Sequence, residues 1–99
     1  MTKNETYSLM KKYAALGPQH RQIIEYLHWA PYQTFCGGYT DLTRAMGMPP
    51  KSQNSNVRKA ALELKDLEII DISLMPSGRP YIFRLNPKWM DRLLANLKI

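Results

Sequence analysis

Along this chain the apolar positions recur every three or four residues in five stretches and alternate in two. Leu9, Met10, Tyr13 and Leu16 predict a first helix from Asn4 to Leu16, with Asn4 or Thr6 able to cap it and Gly17-Pro18 to stop it. Pro18 suits the first turn of a second helix, whose shared face holds His20, Ile23, Ile24, Leu27 and Ala30, and which ends before Pro31. Tyr32 to Tyr39 is aromatic and punctuated by glycine, as expected of a loop with a brief strand. Thr40 is a good N-cap for a short third helix with Leu42, Ala45 and Met46 on its apolar face and Gly47 to end it in the left-handed conformation.

After the turn Met48-Pro49-Pro50-Lys51, Ser52 or Asn54 can cap a fourth helix, the most regular of all, striped by Val57, Ala60, Ala61, Leu64 and Leu67. Ser55, Arg58 and Lys59 lie opposite that stripe, with Asn56 at its flank. Leu62 also points outward, which a plain solvated face does not need. Beyond Glu68 the period changes to two, with Ile70, Ile72 and Leu74 on one face. Pro76-Ser77-Gly78-Arg79-Pro80 is turn chemistry, and Tyr81, Phe83 and Leu85 then alternate with Ile82 and Arg84, which completes a hairpin. Asn86-Pro87 introduces a final helix with Met90, Leu93, Leu94 and Leu97 on one side. The pattern contains no repeat, low-complexity segment or linker, and 99 residues predict one domain, 1–99.

Charge sharpens this picture. The formal net charge is +6 and the pI near 9.6, which favours a polyanionic partner. The acids are also unevenly spread. Between Asp41 and Glu63 every charged residue is basic (Arg44, Lys51, Arg58, Lys59), and between Asp71 and Asp91 only Arg79, Arg84 and Lys88 carry charge. No apolar run is long enough to span a bilayer and none near Met1 resembles a signal peptide, so a cytoplasmic protein without membrane contact is expected. The single cysteine, Cys36, cannot form an internal disulfide and reads as a buried, inert thiol. His20 reads as a core histidine. No spacing of ligands predicts a metal, no motif predicts a cofactor, and no positioned acid, base or phosphate loop predicts an enzyme. Trp29, Trp89 and the six tyrosines are spread over several elements and read as core or interface residues, not as a stacking platform for single strands.

The order of elements, and above all the run Ser55-Asn56-Val57-Arg58-Lys59-Ala60-Ala61-Leu62-Glu63-Leu64-Lys65-Asp66-Leu67-Glu68-Ile69-Ile70, resembles the winged helix-turn-helix family. There a recognition helix with a small polar pair, a valine and a leucine ladder runs into the first wing strand. The resemblance is closest from Thr40 to Leu85. It departs at Glu68, where the family usually has glycine, and in the turn from Gly47 to Val57, which reads as longer than the compact version. It implies an α+β, mainly helical fold: a three-helix core with a β-hairpin wing, plus N- and C-terminal helices. It also implies sequence-specific binding of double-stranded DNA, with the recognition helix in the major groove. Gln53, Asn54, Ser55, Asn56 and Arg58 are then candidates for reading bases, Arg44, Lys51 and Lys59 for holding phosphates, and Arg79 in the wing for the minor groove or its backbone. Each has a structural alternative: Asn54 or Ser52 as a cap, Arg79 as a solvated turn residue. A homodimer is expected through Leu9, Met10 and Tyr13 of the first helix and Met90, Leu93 and Leu97 of the last. Such a protein would act in transcription regulation, or in phage or plasmid replication or segregation (plasmid partition). The alternative is a winged-helix module that binds another protein and no DNA, since fold alone does not settle function.

Overall fold

The structure, a computed structural model, describes Thr2, Asn4, Glu5, Ser8 and residues 16–74 and 81–96. Most of the predicted first helix, with Leu9, Met10 and Tyr13, lies outside the described residues, as do Gly78 and Arg79 of the hairpin tip and Leu97. Thr2 provides a capping oxygen at the chain's start, its Oγ1 accepting the Glu5 N–H at 3.2 Å, while Asn4 is already helical and Thr6 lies outside the described residues.

The elements run α1 (Pro18–Trp29), a short 3-10 turn (Pro31–Gln33), β1 (Thr34–Gly37), α2 (Tyr39–Ala45), α3 (Pro50–Asp66), β2 (Ile70–Leu74), β3 (Tyr81–Leu85) and α4 (Trp89–Asn96). This is a small, mostly helical α+β fold with a three-stranded antiparallel sheet in the order β1-β3-β2.

The helices start where side chains or prolines dispose of their first amides, and in two places this moves the predicted boundary. Thr40 does not cap α2. Its N-cap is Gly38, whose N–H is bound by Asp41 Oδ2 at 2.9 Å. With Tyr39 as the first residue, the helical period turns Tyr39, Leu42, Thr43 and Met46 inward and leaves Ala45 exposed, contrary to its predicted place on the apolar face. Neither Ser52 nor Asn54 caps α3. Pro50 occupies the first helical position, where its missing N–H costs nothing, and the Pro49 carbonyl takes the amides of Ser52 (3.3 Å) and Gln53 (3.0 Å). The turn between α2 and α3 is therefore the short Met46–Pro49 segment, not a long one. Gly47, at φ +80, supplies its left-handed residue as predicted.

The far end of α3 closes as a Schellman motif: Glu68 N–H bonds to Lys65 O (2.9 Å) and Ile69 N–H to Leu64 O (3.0 Å). The residue between them must be left-handed, and Glu68, at φ +61, takes the place where glycine is usual.

The core is the meeting of three helical stripes with one face of the sheet. Ile23, Ile24 and Leu27 of α1, Leu42 of α2, and Val57, Ala60, Ala61 and Leu64 of α3 are buried against Phe83, Leu85, Ile70 and Ile72. Phe83 lies in the central strand opposite Phe35 on one side and Ile72 on the other, so this row carries the inward side chains. The next row, Cys36, Ile82 and Ser73, points the other way. Cys36 is consequently exposed, where burial was predicted. Leu74 shares the inward parity but pairs with Tyr81 at the far end of the sheet, and remains 54% exposed. Trp89 and Leu93 of α4 close the core at 4% and 0% exposure. Leu93 thus packs within its own chain and has no surface to offer a second copy, while Met90 beside it is exposed. Among the described residues no helix is long and apolar enough to cross a membrane.

Candidate nucleic-acid interface

The outer face of α3 carries the predicted polar residues, and helix geometry sorts them into three rows. Ser52, Ser55, Lys59 and Leu62 follow one another at steps of three and four down the middle of the exposed side. All four are exposed, with Leu62 at 42%. Lys51, Asn54 and Arg58 form a second row turned toward α2 and the sheet, and Gln53 and Asn56 a third turned toward α1.

The second row reaches residues of two other elements. Thr43, fully buried on α2, has its hydroxyl 2.7 Å from the Tyr39 carbonyl and 3.2 Å from the side-chain amide of Asn54. One hydroxyl proton cannot serve two acceptors, and the shorter contact, to the Tyr39 carbonyl, holds it. Asn54 satisfies both groups when its amide is turned so that Nδ2 donates to the hydroxyl. Asn54 is thereby a pin between α2 and α3, its half-buried side chain held against Thr43 at the edge of the fold rather than left free for reading.

Arg58 lies over the Tyr39 ring, 5.8 Å from its centre, within the range of a cation–π contact. The Tyr39 ring in turn stands 5.1 Å from Tyr81 at the start of β3 and 5.4 Å from Phe83. Burial and the neighbouring Tyr81 push the Tyr39 hydroxyl above its ordinary pKa, against the opposing pull of the Arg58 charge. Gly38, Tyr39, Thr40, Asp41, Asn54, Arg58 and Tyr81 enclose an open cleft of about 710 Å³. The tyrosines of this cleft were predicted only as core or interface residues. No local pattern brings positions 39, 58 and 81 together; antiparallel pairing of β3 with β1 does, by setting Tyr81 opposite Gly37, just before α2.

In the third row Asn56 Nδ2 donates to Gln53 Oε1 at 3.2 Å, so the two side chains are presented as a pair. Lys59, Asn56 and Glu63 line a second open cleft with Gly17 and His20 at the start of α1. His20 is buried as predicted. Its Nδ1 accepts the Gly17 N–H at 2.9 Å, which puts the proton of the neutral ring on Nε2, 3.5 Å from Glu63 Oε2.

Arg44 lies on the exposed side of α2, 3.9 Å from Asp41, a solvent-exposed pair of little energetic weight that leaves the guanidinium available to an anion. Together, α3, the exposed side of α2 and the foot of the hairpin present Arg44, Lys51, Arg58 and Lys59 over a stretch without acids from Thr43 to Leu62. Among the described residues no group of three histidine, cysteine, aspartate or glutamate side chains is arranged to hold a metal ion. Compared with known proteins, the chain matches no family model, no curated protein and no solved structure.

Proposed function

We propose that the protein is a winged helix-turn-helix that binds duplex DNA, with α3 in the major groove and the β2–β3 hairpin as its wing. The observation that carries this reading is the outer face of α3 from Lys51 to Leu62: exposed, polar and basic, free of acids until Glu63 and Asp66 at its far end, and bordered by the hairpin. A face that served only solubility would have no reason to exclude carboxylates beside so many cations. The order of elements supports it too, three helices packed together and a hairpin leaving the third. An α-helix fits the major groove, where Ser and the Gln53–Asn56 pair can meet base edges and Lys51, Lys59 and Arg44 can meet phosphates. Asn54 leaves the set of base readers for the reason given above. A homodimer would set two α3 helices on inverted half-sites about one turn of DNA apart, with Met90, of the expected interface residues on the last helix, described and exposed. Transcription regulation and the replication or segregation of a phage or plasmid are the settings such a protein suits.

The test is titration of nucleic-acid-free protein with random duplex DNA over a series of salt concentrations. Affinity should fall steeply with salt, because several phosphate contacts release several counterions. On a selected site, Asn56→Ala should cost roughly 1–3 kcal/mol and relax preference at particular base pairs, whereas Lys59→Ala should weaken all sequences alike and lower the salt slope by about one ion. Undetectable duplex binding at low salt would overturn the reading in favour of a module that binds protein.

A further inference from the structure

We propose that the cleft of Tyr39, Arg58 and Tyr81 at the foot of the hairpin seats one backbone phosphate of the duplex. The inference rests on the duplex-binding reading and deepens it by giving Arg58 a phosphate in place of a base edge.

Three elements converge here: Tyr39 opens α2, Arg58 sits midway along α3, and Tyr81 opens β3. The rings are 5.1 Å apart and tilted by 51°, too close to admit a base between them. What the cleft can offer a ligand is donors. Arg58 contributes a guanidinium fork, which matches the oxygens of a phosphate better than a point charge does. The cation–π contact with the Tyr39 ring at 5.8 Å keeps that fork beside the cleft. The Tyr39 hydroxyl remains protonated at neutral pH and Tyr81 adds a second phenol, while Thr40 contributes a hydroxyl at the rim.

One carboxylate, Asp41, lines the same cleft and would oppose an anion. Its charge is offset only in part: Oδ2 accepts the Gly38 N–H at 2.9 Å, while the exposed contact of Oδ1 with Arg44 at 3.9 Å adds little. Among the described residues Arg58 has no carboxylate within ion-pair distance. An exposed arginine beside two phenols, with no carboxylate in ion-pair reach among the described residues, is chemistry suited to a phosphodiester. The cleft also lies between α3 and the hairpin, where a DNA strand leaving the major groove for the wing has to pass.

The test uses the full chain and a 20-base-pair duplex, read by fluorescence anisotropy from low to moderate salt, with thermal melts to establish that each variant is folded. Tyr39→Phe and Tyr81→Phe keep both rings and should each weaken binding by roughly three- to tenfold, as expected for the loss of one hydrogen bond of ordinary net strength at a site open to water. Their salt slopes should match wild type because no charge is removed. Arg58→Lys should lose affinity with an unchanged slope, whereas Arg58→Ala should lower the slope by about one ion. Scanning single methylphosphonates along the duplex should find one position that weakens wild type but adds nothing to the loss in the double variant Tyr39→Phe/Tyr81→Phe. Wild-type binding with both tyrosine variants within twofold of it at every salt would overturn the phosphate seat and leave duplex binding standing. Absence of wild-type binding at low salt would overturn both.

Discussion

Asn86 ties the two ends of the hairpin to the helices on either side of it, and removing its side chain should destabilise the whole fold. Its Nδ2 donates to the Glu68 carbonyl at 2.9 Å, across eighteen positions of sequence, and its Oδ1 accepts the Lys88 N–H at 2.9 Å. The first bond anchors the left-handed residue where α3 turns into β2. The second starts the turn into α4. Asn86→Ala removes both and keeps the backbone bond from its own N–H to Ile69 O. At about 1 kcal/mol per bond, with water repaying part because the groups lie near the surface, the loss is about 1–2 kcal/mol. For a domain of this size that corresponds to a melting temperature lower by about 4–16 °C. Asn86→Asp separates the two bonds. A carboxylate still accepts from Lys88 but has no proton for the Glu68 carbonyl, so at neutral pH this variant should be at least as unstable as a loss of one bond. Protonation restores a donor, and the folded state then favours the neutral carboxyl. Its pKa is raised on folding, the folded state holds more protons, and stability relative to wild type improves as pH falls through the carboxyl range. Urea unfolding of both variants at pH 7 and pH 4 measures all of this. An alanine variant within about 0.5 kcal/mol of wild type would refute the reasoning.

Two further substitutions test the backbone geometry. Glu68→Gly should stabilise the fold by about 0.5 kcal/mol in denaturant unfolding, because relief at φ +61 outweighs both the added freedom of the unfolded chain and the exposed Glu68–Arg92 pair at 3.2 Å. Glu68→Ala keeps the strain, loses the pair and should gain nothing. Gly37→Ala should destabilise by roughly 1–3 kcal/mol in the same assay, since the new Cβ would stand 2.9 Å from Phe35 Cε2 and 3.1 Å from Asp41 Cβ. The Phe35 ring, in contact with Tyr26 and Phe83, would have to move.

The helices and strands were legible because burial imposes its period directly on residue type. Ile23, Ile24 and Leu27, or Val57, Ala61 and Leu64, can repeat at that spacing for little other reason. Helix starts were less legible. Thr40, Ser52 and Asn54 have the right side chains for a cap, but capping depends on which amides remain unpaired. Pro49-Pro50 and the reach of Asp41 back to Gly38 had already settled that. Face assignment in the sheet failed at its margins for a different reason. Parity alone puts Leu74 with Ile72, and nothing local says that cover ends between them. Cys36 needed its pairing with Ile82 to be placed outward.

Residue type was least informative about the polar side of α3, and this bears most on function. Gln53, Asn54 and Asn56 have nearly the same chemistry and were assigned the same role. The fold gives them different ones because each successive position is rotated by about 100° around the helix. Asn54 turns toward α2, where the buried Thr43 hydroxyl uses it. Gln53 and Asn56, three apart, meet each other on the opposite flank. Ser52, Ser55 and Lys59 take the middle of the exposed side, Lys59 bordering the cleft toward the start of α1. A groove that receives this helix would therefore meet two serines and a lysine at its floor, with the Gln53–Asn56 amide pair on one wall and Arg58 on the other. Small hydroxyls at the centre let the helix approach base edges closely, and the longer side chains at the flanks reach outward from it. The specificity such a surface can deliver then depends on the amide pair. Asn56→Ala consequently removes one reader and also releases Gln53, so its effect on base preference should exceed that of Ser55→Ala in the same competition assay.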